Sequence, residues 1–348
     1  KFDIEILISE MFAADTVAKL AKSLQIKIHH RKPLEATILN SSDQTETNYL
    51  SRQYKVSNRD INLDYDSVSG VQESFWLLQQ LTPDIPIYNL PKILSLKGDL
   101  KVELLEKSLK GIISRHQTLR TTYHLGDGAL FQRVSHDWGF DFTMVDFSEL
   151  SQQDRSQKLQ KLLQEMIRQP FDLENGLMIR SVLVRLRQDH HILGLVIHHI
   201  ASDFLSSRLF ENELAVHYDA YLNQETPTLP DLPISYQDYA TWQSDFLKTE
   251  TATQKLIYWR DQLEDSPSLL QLPTDFPRQP IQTYAGNRIS FSINAELFSE
   301  VLNLSSTNGV TPFMVLLTAF YVLLHRYTHQ TDILVGMPVV GRFQPEME

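Results

Sequence analysis

The residues most suited to chemistry are His198, His199 and Asp203, in the run His198-His199-Ile200-Ala201-Ser202-Asp203. They follow the apolar stretch 192–197 and precede a helical pattern that starts near Leu205. Successive side chains of a strand point to opposite faces, so the two imidazoles cannot share one task. One is available for chemistry and the other for structure. A carboxylate four positions after a histidine, where the chain bends into a helix, can hold either the ring or the loop that carries it, which is a general-base architecture. Chance is the competing explanation on spacing alone, because the chain has 12 histidines and pairs also occur at His29-His30 and His190-His191.

Other chemistries find less support. His190, His191, His198 and His199 are close in sequence, but adjacent strand residues diverge and no acidic residue has zincin spacing to them, so no metal is expected. No Gly-x-Ser-x-Gly surrounds Ser202, and Gly126-Asp127-Gly128 joins two strand-like segments as a hairpin, not a phosphate loop. The absence of cysteine removes thiolate ligands, cysteine nucleophiles and disulfides, and fits a reducing compartment, so a cytoplasmic location is expected. With 43 acidic against 32 basic residues the net charge is −11, the wrong sign for neutralising phosphates or an anionic membrane surface. Neither nucleic acid nor membrane is expected as a partner. The N-terminus lacks a basic segment followed by a long apolar run, so no signal peptide is expected. The most apolar stretch, 313–324, ends in His325-Arg326 and falls short of the roughly 20 residues that span a bilayer, so it is expected to be a buried core helix.

Placing His199 at a strand end requires a scaffold of alternating elements. Helical periodicity runs over 68–81, 101–115, 152–168, 205–222, 235–247, 252–263, 295–305 and 311–327. Segments 91–98, 119–124, 177–187, 191–198, 287–293 and 332–336 read as strands. The fold class is therefore α/β, and 348 residues suffice for two domains. The polar stretch 28–63 reads as linker, and the proline-rich segments 224–233 and 272–280 interrupt regular structure. The chain reaches Glu348 soon after its last expected strand, as though it were the front part of something longer.

These motifs together resemble the condensation domains of nonribosomal peptide synthetases, which are paired chloramphenicol-acetyltransferase-like lobes. The family's His-His-x-x-x-Asp-Gly is matched by His198, His199 and Asp203, and its Arg-His-x-x-Leu-Arg-Thr by Arg115, His116, Leu119, Arg120 and Thr121. Its Tyr-x-Asp-Tyr-Ala-x-Trp is matched by 236–242, its Tyr-Trp-x-x-x-Leu by 258–263, its Leu-Pro-Thr-Asp-x-Pro-Arg by 272–278, and its Gly-x-Pro-x-x-Gly-Arg by 336–342. The opening Ser-x-Ala-Gln-x-Arg-x-Trp is matched more loosely by 69–76, with Val71 for Ala and Ser74 for Arg. The resemblance covers about 64–348 and implies a two-lobe α+β sandwich, with 64–223 as the N-terminal lobe and 224–348 as part of an incomplete C-terminal lobe. Residues 1–26 resemble the last helix of a carrier domain, with Phe12, Thr16, Val17, Leu20 and Ala21 at its apolar places, and 27–63 would be the linker.

The resemblance implies amide-bond formation between a carrier-bound acyl or peptidyl thioester and the amino group of a carrier-bound aminoacyl acceptor, in secondary-metabolite or antibiotic biosynthesis. The implied catalytic motif is His199, His198 and Asp203: His199 acts on the amine, His198 packs or bonds beneath it, and Asp203 is structural, paired with an arginine for which Arg342 is the candidate. Arg120 and Arg115 are expected to serve structure, as are Tyr236, Asp238 and Trp242. Phe204 stands where the family has glycine, and would narrow the substrate channel, select small acyl groups or point into the core. No cofactor is implied as bound directly; phosphopantetheine arms arrive on carriers, from an upstream donor carrier and a downstream acceptor carrier with its adenylation domain. Tyr88-Asn89 resembles forms that accept L-configured donors. The alternatives are an epimerisation domain of the same superfamily, a catalytically silent carrier-docking platform, and a stand-alone coenzyme A acyltransferase.

Overall fold

The computed structural model describes residues 66–126, 128–277, 284, 286, 287, 289–339, 341, 342 and 347. The expectations for 1–26 and 27–63 lie outside them. Within this range the chain forms two compact units that divide between Thr249 and Glu250.

The first unit opens with β1 (Asp66–Ser67) and α1 (Gly70–Leu81), followed by β2 (Asn89–Lys97), α2 (Val102–Arg115), β3 (Thr121–Gly126) and β4 (Ala129–Val134). It continues through β5 (Phe142–Asp146), α3 (Gln152–Arg168), β6 (Ile179–Arg187), β7 (His190–His198), α4 (Phe204–Leu222) and α5 (Tyr236–Leu247). The main sheet has the order β2-β7-β6-β5, so β7 is an inner strand, antiparallel to both neighbours. Beside it a small sheet of order β1-β4-β3 contains the expected hairpin, with Gly126 opposite Ala129 and Gly128 at a φ of 79°.

Alternation along β7 builds a core on each face. Leu193, Leu195 and Ile197 pack with Ile179 and Leu183 of β6 against Leu109 and Ile112 of α2 and Phe210 and Leu214 of α4. Full burial of each such side chain contributes about 1.5–3 kcal/mol, so this layer is the largest apolar contribution to the unit. On the other face Gly194 admits α3: a Cβ there would stand 2.8 Å from Leu163 and 2.9 Å from Met166. A second apolar cluster gathers Tyr123, Phe171, Met178, Val196 and Ile200 at the end of β7 that carries the histidines.

Helix α2 ends on α4 through buried charge. The carboxylate of Glu213, 3% exposed, accepts from Arg115 Nε at 3.1 Å and from His116 Nε2 at 2.6 Å. The Arg115-His116 motif therefore anchors one helix to another, and Arg115 also donates to the Pro230 carbonyl. Helix α5 belongs with this unit as well, because Tyr236 OH bonds Ser69 Oγ at 3.1 Å and Gly70 N–H donates to Gln243 at 3.0 Å. These bonds across 224–233 hold α5 in the first unit, which runs to Thr249.

The second unit contributes α6 (Glu250–Leu263), α7 (Ala295–Asn308) and α8 (Pro312–Thr328). Asn294 and Thr311 cap α7 and α8, and the chain bends by 107° between them. Two expectations are corrected. The segments 287–293 and 332–336 form no strands among the described residues, because a strand needs a ladder partner and the described part of this unit supplies none. The stretch 313–324 is a helix, but not a buried one: Phe313, Phe320 and Leu323 are exposed and Leu324 is buried. Periodicity sets the helix; burial depends on a neighbouring layer. No single helix among the described residues is long and apolar enough to cross a membrane.

Glu213→Ala is expected to cost about 2–4 kcal/mol in urea unfolding, because it leaves Arg115 and His116 without their buried acceptor. Burial opposes ionisation of Glu213, yet the His116 hydrogen bond and the charges of His116 and Arg115 hold its carboxyl below the ordinary value. Its contribution is thus present above the usual carboxylate range near ~4.3 and is lost as pH falls through the lower folded value. Wild-type stability should drop there more steeply than that of Glu213→Ala, and parallel pH profiles would refute the anchor.

Candidate active site

The strand β7 ends at His198, and backbone bonds to the residues just before both neighbouring strands hold the end in place. His198 N–H donates to Met178 O at 3.0 Å and His199 N–H donates to Tyr88 O at 2.8 Å. A short 3-10 turn, His199–Ala201, then redirects the chain into α4.

His198 is fully buried. Its Nδ1 accepts from Ile200 N–H at 3.1 Å, which places the proton on Nε2 in the neutral ring. The ring stands edge-on to Phe171 at 5.6 Å and to Tyr88 at 6.2 Å. Burial, with the neighbouring charges of His199 and Arg180, lowers its pKa to about 4. A ring in that position stays neutral at pH 7 and shapes the turn through its acceptor nitrogen.

His199 differs in every respect. It is half-buried, it heads the turn, and its imidazole stacks on the Phe75 ring with centroids 5.0 Å apart and planes inclined by 29°. Phe75 in turn meets Tyr88 edge-on at 4.6 Å. Among the described residues no carboxylate bonds the His199 ring. Of the two ways a carboxylate can serve such a histidine, Asp203 takes the second: it holds the loop. Asp203 Oδ1 accepts from Ser206 N–H at 2.7 Å and Ser206 Oγ–H at 2.6 Å, and Asp203 N–H donates to Ser206 Oγ at 3.2 Å. This reciprocal box starts α4 directly after the turn and satisfies amides that a helix start leaves open.

The remaining candidates separate. Phe204, the first residue of α4, is 82% exposed, which overturns the option that it points into the core. Arg120 donates to Ser135 O at 2.8 Å and Ser114 O at 3.3 Å, tying the end of α2 to the end of β4. Arg342 belongs to the second unit. Asp238 closes a capping box with Ser235 at the start of α5, and Trp242 stacks on Phe246 at 5.6 Å. Next to the turn a shallow open pocket is bounded by Ser202 and Ser206 together with His116, Thr118 and Leu209. The His199 ring does not line it.

Sequence reasoning misses Phe75 and Glu213, and it meets Gln72 and Tyr88 only through a resemblance. Gln72 is 1% exposed and bridges Tyr123 OH and Gln132 Oε1, each at 3.1 Å, while its own helix is capped by Ser69. The legible signal is the Ser-x-x-Gln spacing of 69–72, a capping box that fixes α1 and so carries Phe75 to His199.

The α/β scaffold thus ends its inner strand in a histidine pair, one ring sealed and one half-open. A family model described as Condensation domain matches residues 63–348. The chain belongs to the condensation-domain family of nonribosomal peptide synthetases. It is 38% identical over 346 residues to one of the linear gramicidin synthase proteins of Brevibacillus parabrevis, covering 97% of this chain and 7% of that protein. It is 34% identical over 281 residues to the phosphinothricin tripeptide synthetase PhsC of Streptomyces viridochromogenes, covering 81% of this chain and 26% of that one. Among solved structures, the X-domain in complex with OxyB from teicoplanin biosynthesis aligns with TM-score 0.69 and 25% identity, over 78% of this chain and 59% of that one. A starter condensation domain of the rhizomide synthetase RzmA, in complex with C8-CoA, aligns with TM-score 0.67 and 20% identity, over 81% of this chain and 62% of that one; this likeness is one of fold. The chain thus spans only a small part of the synthetases it matches.

The sealed histidine carries a pH signature. A ring near 4 when folded and near ~6.5 when unfolded contributes stability that is complete above the upper value and is lost on acidification toward the lower one, about 3 kcal/mol in all. Urea unfolding between pH 7 and pH 4 should show this loss in the wild type and a flatter profile in His198→Phe; equal slopes would contradict the assignment.

Proposed function

We propose that this chain joins a carrier-bound acyl or peptidyl thioester to the amino group of a carrier-bound aminoacyl acceptor, with His199 acting on the incoming amine. The observation that carries the proposal is the half-open His199 ring, set by a pinned strand end and bonded to no carboxylate among the described residues. The amine nitrogen attacks the thioester carbonyl, the C–S bond breaks, and the departing thiolate ends as a thiol with the proton the amine gives up. His199 takes that proton or hydrogen-bonds the amine.

Magnitudes apportion the two effects. An α-amino group with pKa near ~8 is already about one-tenth neutral at pH 7, and a positioned base contributes about 10²–10⁴ in rate. Alignment of two tethered reactants contributes about 7–11 kcal/mol in favourable cases, the larger share. Asp203 serves alignment, because it fixes the helix start beside His199. The phosphopantetheine arms would come from an upstream donor carrier and a downstream acceptor carrier with its adenylation domain, and the setting would be cytoplasmic. The carrier-helix reading of 1–26 draws support from the gramicidin synthase alignment, which covers 97% of the chain, whereas the family model begins at 63.

One observation favours a second reading. Phe204 projects an exposed ring where the family motif has glycine, as a silent docking platform tolerates. The chain supplied with loaded donor and acceptor carriers should yield an amide by mass spectrometry, and His199→Ala should lower its rate by about 10²–10⁴ with donor loading intact. An inverted α-carbon would indicate epimerisation instead. Carrier binding without product would favour the platform.

A further inference from the structure

We infer that Phe75 is the positioning residue of His199: its ring is the surface that fixes the orientation of the half-open imidazole. This rests on the reading of His199 as the group that meets the amine. A histidine that acts on substrate needs its ring held, and in most such sites a carboxylate or carbonyl bonded to the second nitrogen does so. Here Asp203 is engaged in capping α4, and among the described residues the ring's nitrogens receive no side-chain hydrogen bond. What the ring does have is a flat neighbour, Phe75, in an offset stack at 5.0 Å and 29°.

Phe75 is itself held. Its helix α1 is fixed by the Ser69–Gln72 capping box, and the buried Gln72 amide ties that first turn to Tyr123 and Gln132. Tyr88 closes the other side: its ring meets Phe75 edge-on and its carbonyl accepts the His199 N–H. The orientation of His199 is thus transmitted from α1 and β2 through an aromatic face, which leaves both nitrogens available to substrate. Phe75 touches no reacting atom, so its effect is on rate through alignment.

Three substitutions measured beside His199→Ala test this, all in the chain supplied with loaded carriers. Phe75→Leu and Phe75→Met remove the flat face while keeping apolar bulk, and Phe75→Tyr retains it. The ringless variants are expected to lower the rate of amide formation about three- to tenfold at saturating acceptor, the scale of a lost aromatic stack, with Phe75→Tyr near the wild type. The His199 Hε1 resonance should lose its ring-current shift in Phe75→Leu and Phe75→Met and keep it in Phe75→Tyr, a readout independent of activity. Wild-type rates in both ringless variants, or an equal loss in Phe75→Tyr, would overturn the inference while a slow His199→Ala left the reading of His199 standing. A fully active His199→Ala would overturn that reading itself.

Discussion

The inner strand β7 ends at the histidine pair, and two backbone hydrogen bonds decide where that end lies. Met178 O accepts from His198 on one side and Tyr88 O from His199 on the other. An edge strand can be held so from one side only; an inner strand is held from both. Two adjacent histidines at such an end acquire opposite environments as a matter of geometry. One ring is driven into the cluster of Phe171 and Ile200, where burial keeps it neutral, and the other turns toward Phe75 and stays half-open.

The helix after the turn is constrained along its length. Its first turn is closed by Asp203 and Ser206; one turn on, Lys92 of β2 bonds Ser207 and pairs with Glu211; further along, Glu213 binds Arg115 and His116. These contacts come from the turn, from the strand next to β7 and from α2, so α4 cannot shift without disturbing the sheet that fixes His199. Such pre-organisation suits a reaction in which aligning two reactants outweighs proton transfer.

Much of this was legible in the sequence, for local reasons. The apolar run 192–197, ending in two histidines and a capping Asp, specified strand, turn and helix start, and the 3.6-residue periodicity marked the helices. The parts that escaped depend on distant neighbours. The two-residue β1 exists because β4 pairs with it, and the parallel β5 because β6 does. The reverse holds at 287–293, where Ile289 and Phe291 alternate as a strand would but have no partner among the described residues. At the site the motif histidines and Asp203 could be singled out by spacing, and the resemblance supplied their expected roles. The stack of Phe75 on His199 could not, because no local pattern links a helix near the start of the fold to a turn that follows its inner strand. Arg115 and His116 were visible as a motif, but their shared partner Glu213 lies on another helix and emerges only when α2 and α4 pack.

The end of β7 is clamped from both sides, and amide hydrogen exchange tests that clamp most directly. The N–H groups of His198 and His199 should exchange with the slow core amides of Leu193 and Leu195, protected up to global unfolding. Exchange at both positions as fast as in the exposed residues of the 224–233 segment would show an end that is free to move, and would contradict the account.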